Sequence, residues 1–172
     1  MSGAATSDTP IPQLTVIKVR MVAHTIMGAV VPGAQLSQDP WSIYLLTPGG
    51  GSVRLNMEWV LGTVEDKGTF TVKRHLYAHS NSEVRVFEYD VLPNTKVETF
   101  LQIVREKKRH NYKMTPTGVG CRFSVLTVLQ DWTQAGLITT TNAVHHITFV
   151  IGFNYSKGQT PIKLDIKEGE WL

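Results

Sequence analysis

Cys121 is the only cysteine in the 172-residue chain, and it directly follows the loop Thr115-Pro-Thr-Gly-Val-Gly120 at the head of an apolar-periodic run. A thiol at a helix N-terminus lies among unpaired backbone N–H groups, whose field stabilises a thiolate. Such a cysteine acts as a nucleophile if a base reaches it. It can equally be a small buried apolar residue, the usual fate of a free cysteine. The imidazoles that could supply the base are His24, His75, His79, His110, His145 and His146. None stands at a zinc-type spacing from Cys121 or from a paired carboxylate, so no metal site is expected. His75 and His79 fall on one face of a predicted strand but about 13 Å apart, too far to share an ion. His145 and His146 fall in another predicted strand and point to its opposite faces, so at most one of them faces a pocket. The chain has no Gly-x-Ser-x-Gly elbow, no phosphate loop and no dinucleotide fingerprint, so no cofactor is expected.

The elements that would position these groups follow from pattern. Leu14–His24 is β-branched and roughly alternating and predicts a first strand. Trp41–Leu46 (WSIYLL) is a short apolar run suited to a central strand buried on both faces. Thr47-Pro-Gly-Gly-Gly51 is turn chemistry, with no helix after it to make a phosphate cradle, and Ser52–Met57 alternates; together they predict a hairpin. Thr69–His79 and Glu83–Val91 predict a second strand pair around Ser80-Asn81-Ser82. Thr95-Lys-Val-Glu98 matches a capping box, and Val97, Phe100, Leu101 and Val104 follow at helical spacing. Lys107, Lys108, Arg109 and His110 close that helix where cations oppose the negative end of its dipole.

Beyond Pro116–Gly120, Cys121, Val125, Val128, Leu129 and Trp132 lie on one helical face, and Gly136 is its expected stop. Ala143–Phe153 reads as a strand. Pro161–Ile166 reads as a last strand at a sheet edge, because it opens on proline. The order is β-rich, then helical, then β again: an α+β fold, an antiparallel sheet with two packed helices.

Composition bounds the rest. The length suits one domain with a proper core, expected over residues 14–172 after a disordered tail at residues 1–13. That tail has neither the apolar core nor the basic flank of a secretory signal. Hydrophobic residues make up 42% and charged residues 18% of the chain, with a formal charge of +3. So mild a balance calls for neither nucleic acid nor an anionic membrane as partner, and no window approaches the roughly 18 apolar residues of a membrane span. A single cysteine allows no intrachain disulfide, and a reducing cytoplasmic setting is the simplest expectation. Four Trp, five Tyr and six Phe residues could line a ligand pocket as well as fill a core.

Two segments carry a resemblance. Trp41–Met57 (WSIYLLTPGGGSVRLNM) and Asn111–Leu129 (NYKMTPTGVGCRFSVLTVL) resemble an uncharacterised fungal domain family, over roughly Val16–Gly136, with Gly-Val-Gly-Cys-Arg-Phe the most specific piece. That family more distantly resembles the circularly permuted papain-like fold of the lecithin:retinol acyltransferase group. There a strand reading His-x-Gly-Ile-Tyr-Leu supplies a base, a following strand a second polar residue, and a later Tyr-x-Leu…Asn-Cys-x-x-Phe opens the helix that bears the nucleophile. Ile43-Tyr44-Leu45 matches the first, Val53-Arg54-Leu55-Asn56 the second, and Tyr112 with Cys121-Arg122-Phe123 the third. The resemblance therefore implies a permuted papain-like fold with Cys121 at the nucleophile position. One departure matters. The tryptophan of the fungal family is usually preceded by Asn-His, whereas Asp39-Pro40 precede Trp41 here, and proline accepts no proton.

Three functions are thereby expected, in order. The first is a small-molecule site on a repurposed papain-like fold, running a non-hydrolytic cyclisation or isomerisation in fungal specialised metabolism. Trp41, Tyr44, Asn56, Tyr112 and Arg122 would bind substrate and Arg54 would polarise a carbonyl. The second is a thiol hydrolase or acyltransferase, with Cys121 as nucleophile and His24 as substitute base. The third is a catalytically inactive interaction module. The partner expected is a small molecule, with a homodimer left open.

Overall fold

The computed structural model describes residues 9–24, 41–59, 68–77, 83–113, 121–154, 162–163 and 170–171. Asp39, Pro40, His79, Ser80–Ser82 and the Pro116–Gly120 loop lie outside the described residues, as does the chain before Thr9.

Five strands build one antiparallel sheet: β1 (Lys18–His24), β2 (Trp41–Leu46), β3 (Ser52–Trp59), β4 (Gly68–His75) and β5 (Glu83–Asp90), in the order β4-β3-β2-β1-β5. The expected β2–β3 hairpin forms, Leu46 pairing with Ser52. Its turn holds Gly49 and Gly50 at φ +87° and +83°, a left-handed backbone that glycine adopts without steric cost. The expected pairing of the next two strands does not occur. β4 pairs with β3 and β5 pairs with β1, so they form opposite edges of the sheet. Tertiary pairing to the two apolar central strands wins over sequence proximity.

Among the described residues, three α-helices complete the α+β fold: α1 (Val97–Glu106), α2 (Cys121–Gln134) and α3 (Ala143–Val150). The third replaces the strand expected over Ala143–Phe153. Its β-branched residues suggested a strand, but Ala143, Ile147, Val150 and Ile151 are buried at i, i+4, i+7 and i+8, a helical stripe. Thr148 Oγ1 donates to Val144 O one turn back, which lets a β-branched polar residue sit in the helix. Short ribbons pair β6 (Tyr112–Lys113) with β9 (Glu170–Trp171), and β7 (Phe153–Asn154) with β8 (Ile162–Lys163). The last strand expected over Pro161–Ile166 is thus described only at Ile162–Lys163, outside the main sheet.

The capping box expected at α1 is not made. Thr95 Oγ1 donates to Leu92 O instead, and Lys96 occupies the N-cap. The first helical N–H, that of Val97, donates to Leu14 O at 2.8 Å, and Val16 N donates to Thr95 O at 2.8 Å. The cap of α1 is therefore a stretch of the N-terminal segment. Order also starts before Leu14: Ile11–Gln13 form a 3₁₀ turn against α1, and Arg74 Nη1 donates to Thr9 O.

α2 is the central helix, packed on β2 and β3 and flanked by α1 and α3. Because it is covered on several sides, Arg122, Ser124, Thr127 and Asp131 are buried along with Val125, Val128, Leu129 and Trp132. Thr127 and Thr133 satisfy their hydroxyls on the carbonyls of Phe123 and Leu129. Asp131 accepts from Arg109 Nε at 2.8 Å, and that guanidinium lies over the Trp171 ring. At its end, Gly136 takes φ +80°, with Gly136 N bonded to Thr133 O and Leu137 N to Trp132 O, a Schellman stop. Trp132 is fully buried, packs edge-on against Phe100 at 5.0 Å and donates Nε1–H to Phe100 O at 3.0 Å. Trp132→Ala is expected to cost about 3–5 kcal/mol in urea unfolding. Trp132→Phe, which keeps most of the packing and loses the hydrogen bond, is expected to cost roughly 1–2 kcal/mol.

Candidate functional site

The sheet register sorts side chains onto two faces. Val19, Met21, Ala23, Trp41, Ile43, Leu45, Val53 and Leu55 face the helices and join Val125, Leu129, Phe100 and Ile147 in the main core. The opposite face carries Arg20, Val22, Ser42, Tyr44, Leu46, Ser52, Arg54 and Asn56. It is covered at β2, where Ser42 is 0% and Tyr44 1% exposed, and partly open at Arg54 and Asn56 on β3.

On that second face the register places Tyr44 opposite Arg54, with Ser42 and Asn56 beside them. Arg54 donates from Nε and Nη2 to Ser42 Oγ at 3.3 and 3.0 Å, and its guanidinium lies 5.8 Å from the Tyr44 ring centroid. Ser42 spends its hydroxyl proton on Asn56 Oδ1 at 3.3 Å. The guanidinium is thus tethered by a hydroxyl whose other bond orients an amide. His24, buried at the end of β1, reaches the same face, its ring 6.1 Å from Tyr44. A shift in the β1–β5 register between Ala23 and His24 accompanies this placement.

Two members of this cluster fall outside the site residues expected from the sequence, although His75 is one of the six imidazoles considered. Ser42 belonged to it by alternation, being two residues from Tyr44 on a strand. His75 sits at the end of β4, its ring 6.3 Å from Tyr44 and stacked on Tyr77 at 4.7 Å. Its Nε2 is buried with no hydrogen-bond partner among the described residues. Burial, then the nearby charges of Arg54 and Lys73, hold its pKa below the ordinary 6.5, which favours an uncharged imidazole.

The expected site residues therefore divide. Arg54, Asn56, Tyr44 and His24 come together. Trp41 does not join them: it lies on the helix side, stacked on Phe87 at 5.9 Å. Arg122 is 1% exposed and donates Nη1–H to Ile151 O at 3.2 Å, holding the C-terminal end of α3. Tyr112 pairs through its backbone with Trp171. Cys121 opens α2, as expected, on the helix side of β2 and β3; its side chain is outside the described set.

Both histidines of α3 are exposed and line one cleft, contrary to the strand geometry that would split them. Adjacent helical residues are only about 100° apart, so two neighbours can share a rim. Among the described residues, no group of three or more His, Cys, Asp or Glu side chains is placed to hold a metal ion, and no helix is long and apolar enough to cross a membrane.

Fold and cluster together define an α+β domain whose sheet bears a partly covered, cationic, imidazole-flanked polar site. The chain belongs to the family described as domain of unknown function DUF7770, which it matches over residues 19–172. No curated protein and no solved structure matches it.

The depressed His75 pKa gives a signed expectation. An unfolded His75 titrates near 6.5, above its folded value. Between the two, the unfolded chain holds a proton that the folded chain lacks. Stability is therefore complete above 6.5 and is lost as pH falls through that window, levelling off below the folded value. His75→Gln is expected to shallow the fall in melting temperature between about pH 7 and pH 5 relative to the unaltered chain. Parallel profiles for the two proteins would remove His75 as the cause.

Proposed function

We propose that this domain is a small-molecule enzyme that promotes proton transfer next to a carbonyl, giving a non-hydrolytic isomerisation or cyclisation. The observation that carries the reading is the His75 imidazole, its Nε2 buried and its uncharged form favoured by burial and by the nearby charge of Arg54, beside the Ser42-tethered guanidinium. A fixed guanidinium polarises a carbonyl and stabilises the enolate formed from it. An uncharged imidazole within the same cluster can accept the α-proton and return it at a new position. The Tyr44 ring lies 6.3 Å from His75 and 6.1 Å from His24, so these side chains can steady that proton, and Asn56 fixes Ser42. The burial of Ser42, Tyr44 and His24 strengthens the interactions on their side of the cluster by limiting water.

Such chemistry belongs with fungal specialised metabolism in a reducing cytoplasmic setting, and it needs no cofactor. We further infer that the sheet and α2 are a permuted papain-like arrangement, supported by a helix that opens on Cys121 and packs on β2 and β3. That same placement favours a second reading, a thiol hydrolase or acyltransferase acting from Cys121. Its nucleophile would work from the helix side of the sheet, while Arg54 and its partners occupy the other side.

The two readings separate in one experiment. Proton–deuterium exchange α to a carbonyl is followed by NMR with a 1,3-dicarbonyl compound and a cyclic enone as probes. Arg54→Ala is expected to lower the exchange rate about 10²–10³-fold and His75→Ala at least about 10²-fold, while Cys121→Ala leaves it unchanged. Loss on Cys121→Ala with retention in Arg54→Ala would overturn the proposal in favour of thiol chemistry. No exchange by the unaltered protein, with self-association or protein capture instead, would favour an inactive interaction module.

A further inference from the structure

A second cleft lies away from the Arg54 cluster, where α3 and the segment before it cross β5. It encloses about 520 Å³, within the range of small-molecule pockets, and its walls are mostly apolar. Phe149, on its rim, is 67% exposed and is steadied by an edge-on contact with Phe153 at 5.3 Å. Thr140, Thr141, Asn142 and His145 also reach its rim, and in one pair of lining side chains the Tyr89 hydroxyl and His146 Nδ1 are 2.8 Å apart.

The direction of that hydrogen bond follows from burial. Tyr89 is 2% exposed, and burial raises its pKa well above the ordinary phenol value, so the hydroxyl keeps its proton. A buried O–H must donate, and His146 Nδ1 is the acceptor given to it. His146 then carries its own proton on Nε2. The ring is fixed further by edge contacts with Phe87 at 5.7 Å and Tyr89 at 5.8 Å. An exposed, oriented N–H donor therefore stands among apolar walls. Glu88, on the same rim, is already engaged by Arg20 Nε at 2.9 Å, and its carboxylate disfavours a ligand anion.

We infer that this cleft is a binding site for a neutral aromatic carbonyl compound. Its ring lies against Phe149 and its carbonyl oxygen accepts from His146 Nε2–H. Tyr89 is a positioning residue that selects the imidazole tautomer and touches no ligand. Tyr89 and the α3 residues of the site stand on the helix side of the sheet, across from Arg54, and the site does not depend on the activity proposed there.

The test uses the isotopically labelled full chain with acetophenone and ethylbenzene, which differ in the acceptor oxygen. Acetophenone is expected to shift the α3 amide resonances and to bind about five- to tenfold more tightly than ethylbenzene, the worth of one hydrogen bond. Imidazole nitrogen shifts are expected to show His146 protonated on Nε2. Phe149→Ala weakens both probes, whereas Tyr89→Phe, nearly isosteric, leaves ethylbenzene binding intact and erases the preference for acetophenone. Equal binding of the two probes, shifts confined to other elements, or a His146 protonated on Nδ1 would each overturn the assignment.

Discussion

The register of three strands governs this molecule. β1 and β2 are covered on both faces and β3 is covered on one and partly covered on the other, so each alternate residue is committed to one of two different environments. On the helix side, Trp41, Ile43, Leu45, Val53 and Leu55 fill the core under α2. On the other side, Ser42, Tyr44, Arg54 and Asn56 meet in a hydrogen-bonded cluster. A slip of β2 by one residue would drive Ser42 into hydrocarbon and bring Trp41 against the Arg54 guanidinium. Apolar packing and the polar site thus enforce the same alignment. The penalty for leaving Ser42 unpaired under cover adds to the penalty for exposing the core.

This arrangement separates two groups of residues that the resemblance places together. Cys121 and Arg54 belong to matching segments of one resemblance, yet the helix that Cys121 opens and the side chain of Arg54 lie across the sheet from one another. Arg122, adjacent to the cysteine, serves the fold: its guanidinium meets the carbonyl of Ile151 at the end of α3, where the helix dipole is negative.

Local signals in the sequence carried the parts of the fold that local physics decides. The β2–β3 hairpin was legible from alternating side chains around a glycine turn, and α2 from its apolar stripe and Gly136. The sheet order was not, because nothing in Gly68–His75 or Glu83–Asp90 says which central strand each will join. α3 was obscured by its β-branched residues, although the spacing of Ala143, Ile147, Val150 and Ile151 held the helical period. In the site, Arg54, Asn56 and Tyr44 were found through a matched motif. Trp41 was placed with Tyr44 although three residues along a strand reverse the face. His75 was passed over because its surroundings come from Tyr44 and Arg54 on other strands, which no spacing in β4 announces.

The cap of α1 has a consequence for the order in which the chain becomes structured. Lys96 gives α1 no side-chain cap, and the N–H of Val97 rests on the carbonyl of Leu14, more than eighty residues earlier. The first turn of α1 therefore lacks its own nucleus and gains one only when the N-terminal segment docks. Leu14–Val16 and the start of α1 are therefore tied by backbone hydrogen bonds in both directions and are expected to exchange their amide protons as one unit despite their distance in sequence. The cap of α1 thus closes a loop that contains the whole five-stranded sheet, which couples the seating of the helix to the strands folded between its two ends.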